Sequence, residues 1–103
     1  MDFKVIFGDI FLEDLEGIVG FIGAENPTAA RRLGEMIVRT GENLSYLPER
    51  YPRIRQRPQI RRFIVRRHFK VFYRIDRGSR VVEILRCWDA RRGHNPSLTR
   101  GDE

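Results

Sequence analysis

The sequence has little cysteine and no long apolar run. Cys87 is the only cysteine in 103 residues, so no internal disulfide can form and the disulfide framework of small secreted domains is excluded. Nowhere do about 18 apolar residues follow one another, and the N-terminus lacks a basic segment leading into an apolar stretch. We therefore expect no export, no membrane contact and a cytoplasmic location.

Ligands for a metal or a nucleotide are also scarce. One cysteine and two separated histidines, His68 and His94, provide no metal-binding spacing. The glycines between residues 17 and 23 belong to a predicted helix, whereas a phosphate-binding loop follows a strand. Cys87 lies in an apolar strand, which indicates a core residue and not a nucleophile. We expect no metal and no small-molecule cofactor.

Positive charge is abundant and unevenly distributed. Residues 1–49 hold 4 basic and 9 acidic side chains, whereas the remaining residues hold 16 basic and 5 acidic ones. Of the 20 basic residues 18 are arginine, which binds phosphates and carboxylates through paired hydrogen bonds. An anionic partner is expected, and it could be RNA, DNA or an acidic protein because charge steers association without selecting the partner.

The apolar pattern predicts a strand, two helices and then three strands. The first strand ends at Gly8, Asp9 is a candidate cap for the first helix, and Asn26-Pro27 is a typical helix start. The predicted elements are strand 3–7, helix 10–22, a second helix from Asn26-Pro27 that stops before Pro48, and strands 60–67, 69–76 and 80–88. An arginine-rich loop at 53–57 precedes the last three strands and should be exposed.

This order predicts an α+β fold, β-α-α-β-β-β, in one domain over residues 1–96 with a polar tail over 97–103. An antiparallel helical hairpin should pack on one face of a mostly antiparallel four-stranded sheet and leave the other face open for arginines. Alternation in the strand 69–76 assigns Phe69, Val71, Tyr73 and Ile75 to the core, whereas the two faces of the strand before it stay undecided. Helix-turn-helix binding to DNA is disfavoured, because both helices lie in the acidic part of the chain.

Four segments of the sequence together carry a family resemblance. The segments are Asn26-Pro27-Thr28-Ala29-Ala30-Arg31, Leu47-Pro48, Phe69-Lys70-Val71-Phe72-Tyr73-Arg74-Ile75 and Ile84-Leu85-Arg86-Cys87-Trp88-Asp89-Ala90-Arg91-Arg92. In their order and spacing they resemble the RelE/ParE toxin superfamily of type II toxin–antitoxin and plasmid stabilisation systems. The resemblance covers roughly residues 3–96, and it rests on the segments together because no single motif is very specific.

The resemblance implies one of two activities. RelE-like members are ribosome-dependent endonucleases that cut messenger RNA by attack of a ribose 2′-hydroxyl on its own phosphate. Lys70 and Arg91 match positions at which that group carries phosphate-contacting or catalytic basic residues. Basic side chains at these positions can stabilise the negative charge that grows on the phosphate during the reaction. The tyrosine often found past the last strand has no counterpart between residues 93 and 100, and His94 is a weaker candidate for its place.

ParE-like members inhibit DNA gyrase by binding it, without chemistry of their own. The helix start at Asn26-Pro27, the segment at residues 88–91 and the missing tyrosine favour this activity. Tyr73 could be proposed as a base, but its place among apolar strand residues favours a core role. Glu83 could also act as a base, and a half-buried strand glutamate paired with a neighbouring arginine explains it equally well.

In either case a cognate antitoxin should neutralise the toxin by wrapping its basic face and helices. A plain RNA-binding module or an inactive relative is a third alternative. Seven further arginines are candidates for contact with a nucleic acid or a protein partner: Arg61, Arg62, Arg66, Arg67, Arg74, Arg86 and Arg92.

Overall fold

The computed structural model describes residues 2–94 and 96–98 and has the predicted order of elements. Its helices and strands are β1 (Lys4–Phe7), α1 (Asp9–Gly23), α2 (Pro27–Glu42), β2 (Ile60–Val65), β3 (Phe69–Asp76) and β4 (Val81–Asp89). Single 3₁₀ turns lie at Asn43–Ser45, Pro48–Arg50 and Ala90–Arg92. The strand expected over 60–67 ends at Val65, because Arg66 and Arg67 adopt positive φ angles and turn the chain.

The four strands form one mixed sheet in the order β1-β4-β3-β2. β3 pairs antiparallel with β2 on one side and with β4 on the other, and β1 pairs in parallel with β4. A parallel pair needs a long connection, and the chain between β1 and β4 contains both helices, β2 and β3. The α+β fold with a mostly antiparallel sheet and a helical hairpin on one face is therefore confirmed.

The two helices begin in different ways. The Asn26 Oδ1 atom accepts a hydrogen bond from the Ala29 N–H at 3.1 Å, so the predicted cap of α2 is confirmed. The predicted cap of α1 is wrong, since Gly8 is its N-cap and Asp9 lies in the first turn. Gly8 is needed there because its N–H donates to the Ile84 carbonyl, and a Cβ atom would approach that oxygen to 2.9 Å.

The main core lies between the helices and one face of the sheet. Phe69, Val71 and Tyr73 are buried there, and Ile75 packs against them half-buried, as the alternation predicts. Cys87 is buried in the same core, which confirms its structural role. Full burial of one such apolar side chain contributes about 1.5–3 kcal/mol. Phe63 and Val65 of β2 also face the helices. The core face of β2, which the sequence pattern left undecided, is therefore the one that carries these two residues.

The opposite face of the sheet is less open than expected. At its centre Ile60, Phe72 and Trp88 form a second buried cluster, against which Ile54 and Leu98 pack. The face is thus partly covered by the loop before β2 and by the chain after β4. The expectation of an open face occupied by arginines is wrong at its centre, because bulky apolar side chains there exclude water instead.

Candidate partner-binding site at the basic end of the sheet

Five cationic side chains lie at the end of the sheet where β3 begins and β4 ends. The register pairs Phe69 with Asp89, and the Ala90 N–H donates to the His68 carbonyl at 2.6 Å. These contacts hold the β2–β3 turn beside the 3₁₀ turn that follows β4. We call this region the basic end and define it by Arg66, Arg67, Lys70, Arg91 and Arg92.

The β2–β3 turn, residues 66–68, has an unfavourable backbone. Arg66 and Arg67 have φ angles of +54° and +70°, a region that side chains with a Cβ atom rarely adopt. The His68 N–H donates to the Arg66 carbonyl at 2.8 Å, which makes a tight three-residue turn around Arg67. With positive φ at the central residue, such a turn is rare and strained. Each left-handed residue costs roughly 1–2 kcal/mol.

The side chains of Arg66 and Arg67 are exposed on this turn. Within residues 2–94 and 96–98 neither side chain makes an ion pair or a hydrogen bond with another residue. Contacts inside the described structure therefore do not compensate for the strain of the turn. Exposed cations that cost stability are a feature expected of a binding element.

Arg91 is held by a neighbouring carboxylate. Its Nε and Nη2 atoms donate to the two carboxylate oxygens of Asp89 at 2.9 and 2.8 Å, and the guanidinium lies 5.7 Å from the centre of the Phe69 ring. The hydrogen bond from the Arg91 side chain lowers the pKa of Asp89, and Asp89 in turn raises the pKa of Arg91. Arg91 is thus fixed in direction and permanently charged.

Arg92 lies over a different aromatic ring from Arg91, that of Trp88. Its guanidinium is 4.4 Å from the centre of the Trp88 ring, a cation–π distance. The Trp88 Nε1 atom donates to the His94 carbonyl at 2.6 Å, and the His94 ring contacts the indole edge-on. The exposed His94 and Arg92 therefore both contact the Trp88 indole. The chemical role proposed for His94 stays a prediction.

A groove joins the basic end to the second half of α1. It encloses about 370 Å³ and is lined by Gly17, Ile18, Phe21, Ile22, Phe69, Asp89, Arg91 and Arg92. Phe21 is 84% exposed, which is unusual for an aromatic residue on a helix that packs against a core. An apolar floor with arginines at the rim suits a segment that presents apolar side chains and carboxylates together. No pattern in the sequence indicates this groove, because it depends on packing of α1 against the sheet.

The two predicted catalytic residues lie on different faces of β3. Lys70 pairs with Trp88 and shares the face of Phe72, whereas Arg91 lies over the ring of Phe69 on the helix side. The structure brings both residues to the basic end but not to one surface. Their chemical roles stay predictions.

Several of the predicted binding arginines are engaged inside the protein. Arg61 donates to the carbonyls of Glu49 and Tyr51 at 3.2 and 2.7 Å, and Arg74 pairs with Glu83 at 3.0 Å. Arg62 is half-buried on the face of Ile60. The pair of Arg74 with Glu83 confirms the ion pair expected for Glu83. A contact of these arginines with a partner stays a prediction.

Arg86 is engaged more completely still, through Asp14 of α1. Its Nε and Nη2 atoms donate to the Asp14 carboxylate at 2.7 and 3.1 Å, and its Nη1 atom donates to the Ser97 carbonyl. Asp14 also accepts from the Cys87 N–H at 3.1 Å, at a position on β4 beyond the end of β1. Sequence reasoning missed this role of Asp14, since 72 residues separate it from Arg86.

The nucleophile and base candidates are poorly placed for chemistry. The Tyr73 hydroxyl is buried and donates to the Pro48 carbonyl at 2.7 Å, and burial raises the pKa of Tyr73 to about 12. Burial also raises the pKa of the Cys87 thiol to about 12. In the part of the chain that the structure describes, no three His, Cys, Asp or Glu side chains cluster as metal ligands. Nor does any described helix have the length and apolar character to cross a membrane.

Comparisons with known proteins agree with this architecture. The family model of the ParE toxin of the type II toxin–antitoxin system parDE matches residues 5–93. A search of curated protein sequences finds no match.

Three solved structures share the fold at low sequence identity. The chromosomal ParDE system of Pseudomonas aeruginosa gives a TM-score of 0.72 at 19% identity and covers 84% of this chain and 95% of that one. The RelBE2 toxin–antitoxin complex of Mycobacterium tuberculosis gives 0.64 at 24% identity, with 86% and 99% covered. A mutant of Escherichia coli toxin RelE in the free state gives 0.66 at 13% identity, with 90% and 88% covered.

The family match spans both helices, the sheet from the second residue of β1 onward and the basic end, and the structural likeness confirms the same fold. The chain therefore belongs to the ParE toxin family of type II toxin–antitoxin systems, within the RelE/ParE superfamily.

Proposed function

We propose that this toxin inhibits DNA gyrase by binding it, and that a cognate antitoxin neutralises it in the cytoplasm. The observation that carries the proposal is the composition of the basic end. It gathers exposed arginines for contact with an anionic surface, while the two candidate catalytic residues, Lys70 and Arg91, lie on different faces of β3. Tyr73, the tyrosine that could be proposed as a base, is buried, and burial raises its pKa to about 12. The family model that matches, ParE, supports the same choice.

A RelE-like ribosome-dependent nuclease is the second candidate. It is favoured by the fold shared with Escherichia coli RelE and by the cluster of cations at one end of the sheet. In that activity Arg91 would stabilise the phosphate during cleavage, and Lys70 would contact the message. The fixed direction of Arg91 on Asp89 is compatible with such a role.

Two defined assays separate these activities. The purified protein is added to gyrase supercoiling reactions, and to translation on programmed ribosomes followed by primer extension of the message. Loss of supercoiling with intact message is the expected result. Cuts that appear only on ribosomes, with normal supercoiling, would replace the proposal by the nuclease.

Arg91→Ala sharpens the distinction. If Arg91 stabilises a phosphate, the variant loses cleavage while its unfolding midpoint stays close to that of the wild type. If Arg91 serves as a binding anchor beside Phe69, supercoiling inhibition falls and no cleavage is present to lose. The double variant Arg53→Gln/Arg55→Gln, in the exposed loop at the far end of the sheet, controls for the loss of positive charge.

The antitoxin should present an acidic, amphipathic segment. Phe21 and Phe69 in the groove provide apolar area, and Arg91 and Arg92 at its rim provide the charge. Segments that are disordered before binding commonly fold on such surfaces. Co-purification with the product of the neighbouring open reading frame tests this partner, and Phe21→Ser should weaken the complex. Failure to recover any stable complex would contradict the proposal.

A further inference from the structure

The strained turn at residues 66–68 is the part of the basic end whose backbone geometry the proposed function does not explain. Its two arginines have left-handed backbones, and inside the described structure their side chains make no hydrogen bond or ion pair. Asparagine or glycine would relieve the backbone at either position. Arginine is nevertheless present at both positions, although it makes the backbone strain larger. A function of the two side chains explains their presence better than the shape of the turn does.

We propose that Arg66 and Arg67 bind the phosphodiester backbone of a nucleic acid. The turn lies at the end of the sheet with both arginines exposed, and the side chains of residues 66–68 are two guanidiniums and an imidazole, without an aliphatic apolar group. A guanidinium matches a phosphate through two parallel hydrogen bonds, and adjacent exposed arginines suit the regular spacing of charge along a nucleic acid strand. An amphipathic polypeptide would need apolar area, which at this end lies in the groove by Phe21.

This proposal rests on the proposed function for the source of the phosphates. A gyrase inhibitor would meet the DNA duplex that gyrase holds, so one surface could contact the enzyme while the turn contacts DNA. A ribosome-directed toxin would meet RNA instead. The chemistry at the turn is the same in both cases, and the choice of probe distinguishes them.

The test uses the full-length protein and needs no gyrase. Binding to a fluorescent DNA duplex, and to single-stranded RNA of the same length, is titrated at several salt concentrations. Arg66→Asn/Arg67→Gly removes both charges and relieves the backbone, Arg66→Lys/Arg67→Lys keeps the charges, and Arg53→Gln/Arg55→Gln removes two charges at the opposite end. Thermal unfolding of each variant is measured in parallel.

The Asn-Gly variant should unfold at a temperature about 4 °C higher, because strain is relieved. It should bind the nucleic acid at least about tenfold more weakly, and the slope of log K against log salt should fall by about 2, for two lost phosphate contacts. The double lysine variant should retain most of the slope, and the loop control should keep the wild-type affinity. If the Asn-Gly variant loses affinity for the DNA duplex, the duplex is the source of the phosphates. If it loses affinity for RNA alone, RNA is the source.

Three outcomes would overturn the proposal. Unchanged affinity in the Asn-Gly variant would show that the turn does not contact phosphates, and so would equal losses in the loop control. Wild-type protein that binds neither probe at low salt would have the same consequence. If the variant instead loses only its affinity for an acidic peptide or for the antitoxin, the turn binds polypeptide. Because gyrase is absent, none of these results depends on supercoiling inhibition, which is measured separately.

Discussion

Arginines at the two ends of the sheet have different surroundings. At the end opposite to the basic end, Arg50 donates to the carbonyls of residues 43, 46 and 47, and Arg61 donates to two more. Arg74 and Arg77 pair with Glu83 and Glu49 there. At the basic end, Arg66 and Arg67 have no such bond in the described structure, and Arg91 and Arg92 lie over aromatic rings.

The difference shows that one residue type has two roles in this protein. At the end opposite to the basic end, arginine side chains donate to backbone carbonyls between residues 43 and 51 and so hold this segment in place. At the basic end, arginine contributes little to the fold, and at the turn it costs stability. If this comparison holds, substitutions at the two ends should change stability in opposite directions.

The largest expected effect is that of Asp14→Ala, which extends the comparison to the engaged arginine in the middle of β4. The variant leaves Arg86 without its carboxylate and the Cys87 N–H without its acceptor. Both side chains of this pair are mostly buried, so the free energy of unfolding should fall by about 3 kcal/mol. Urea unfolding measures the change. Glu16→Ala, an exposed acid on the same helix, is the control, and a fall of similar size there would refute the assignment.

Arg61→Ala should have the next largest effect. It removes hydrogen bonds from a charged donor to the Glu49 and Tyr51 carbonyls, of which the second is partly buried. A loss of about 2 kcal/mol in the free energy of unfolding is expected, with unchanged partner binding. Urea unfolding and the supercoiling assay measure both. Intact stability combined with lost inhibition would place Arg61 in the binding surface instead.

Arg67→Gly should change stability in the opposite direction. Relief of a left-handed residue outweighs the extra entropy that glycine gives the unfolded chain, so a gain of about 1 kcal/mol is expected. Arg80→Gly is an instructive control, because Arg80 also has a positive φ of +57° but lies over the Phe3 ring. A destabilised Arg67→Gly protein would break the comparison between the two ends.

The smallest effect concerns the dependence of stability on pH. The pKa of Asp89 is lowered from 3.8 by its hydrogen bond with Arg91, so the pair stabilises the fold above about pH 4. This contribution is lost as the pH falls through the lowered pKa of the folded state. It should be less than about 1 kcal/mol, because the Arg91 side chain is largely exposed. Unfolding of Asp89→Asn should therefore depend less on pH between about 4 and 2 than that of the wild type, and an unchanged pH profile would contradict this.

Much of the fold could be predicted because its signals are local. The Asn26-Pro27 start of α2 depends on one side chain and the next few backbone groups. The core face of β3 follows from alternation within a single strand. The failed cap at Asp9 was also a local prediction, but the close approach of Gly8 to Ile84 placed the glycine at that position.

The candidate site was predicted only in part. The sequence indicated Arg66, Arg67 and Arg92 as candidate binding residues and Arg91 as a candidate catalytic residue, and the structure brings all four to one end of the sheet. It also pointed to Arg61, Arg74 and Arg86, whose partners lie in other elements. The left-handed turn and the groove beside Phe21 had no recognisable signal in the sequence.

The order of elements, the helix pair, the core face of β3 and the excess of arginine in the second half can all be read from the sequence alone. These features depend on the spacing of apolar residues and on composition, and both are properties of short stretches of sequence that do not depend on the rest of the chain. Which arginines are engaged and which are exposed depends on how distant segments of the chain pack together. An arginine finds its carboxylate or carbonyl through contacts between distant segments, as Arg86 finds Asp14, and spacing along the chain does not encode such a contact.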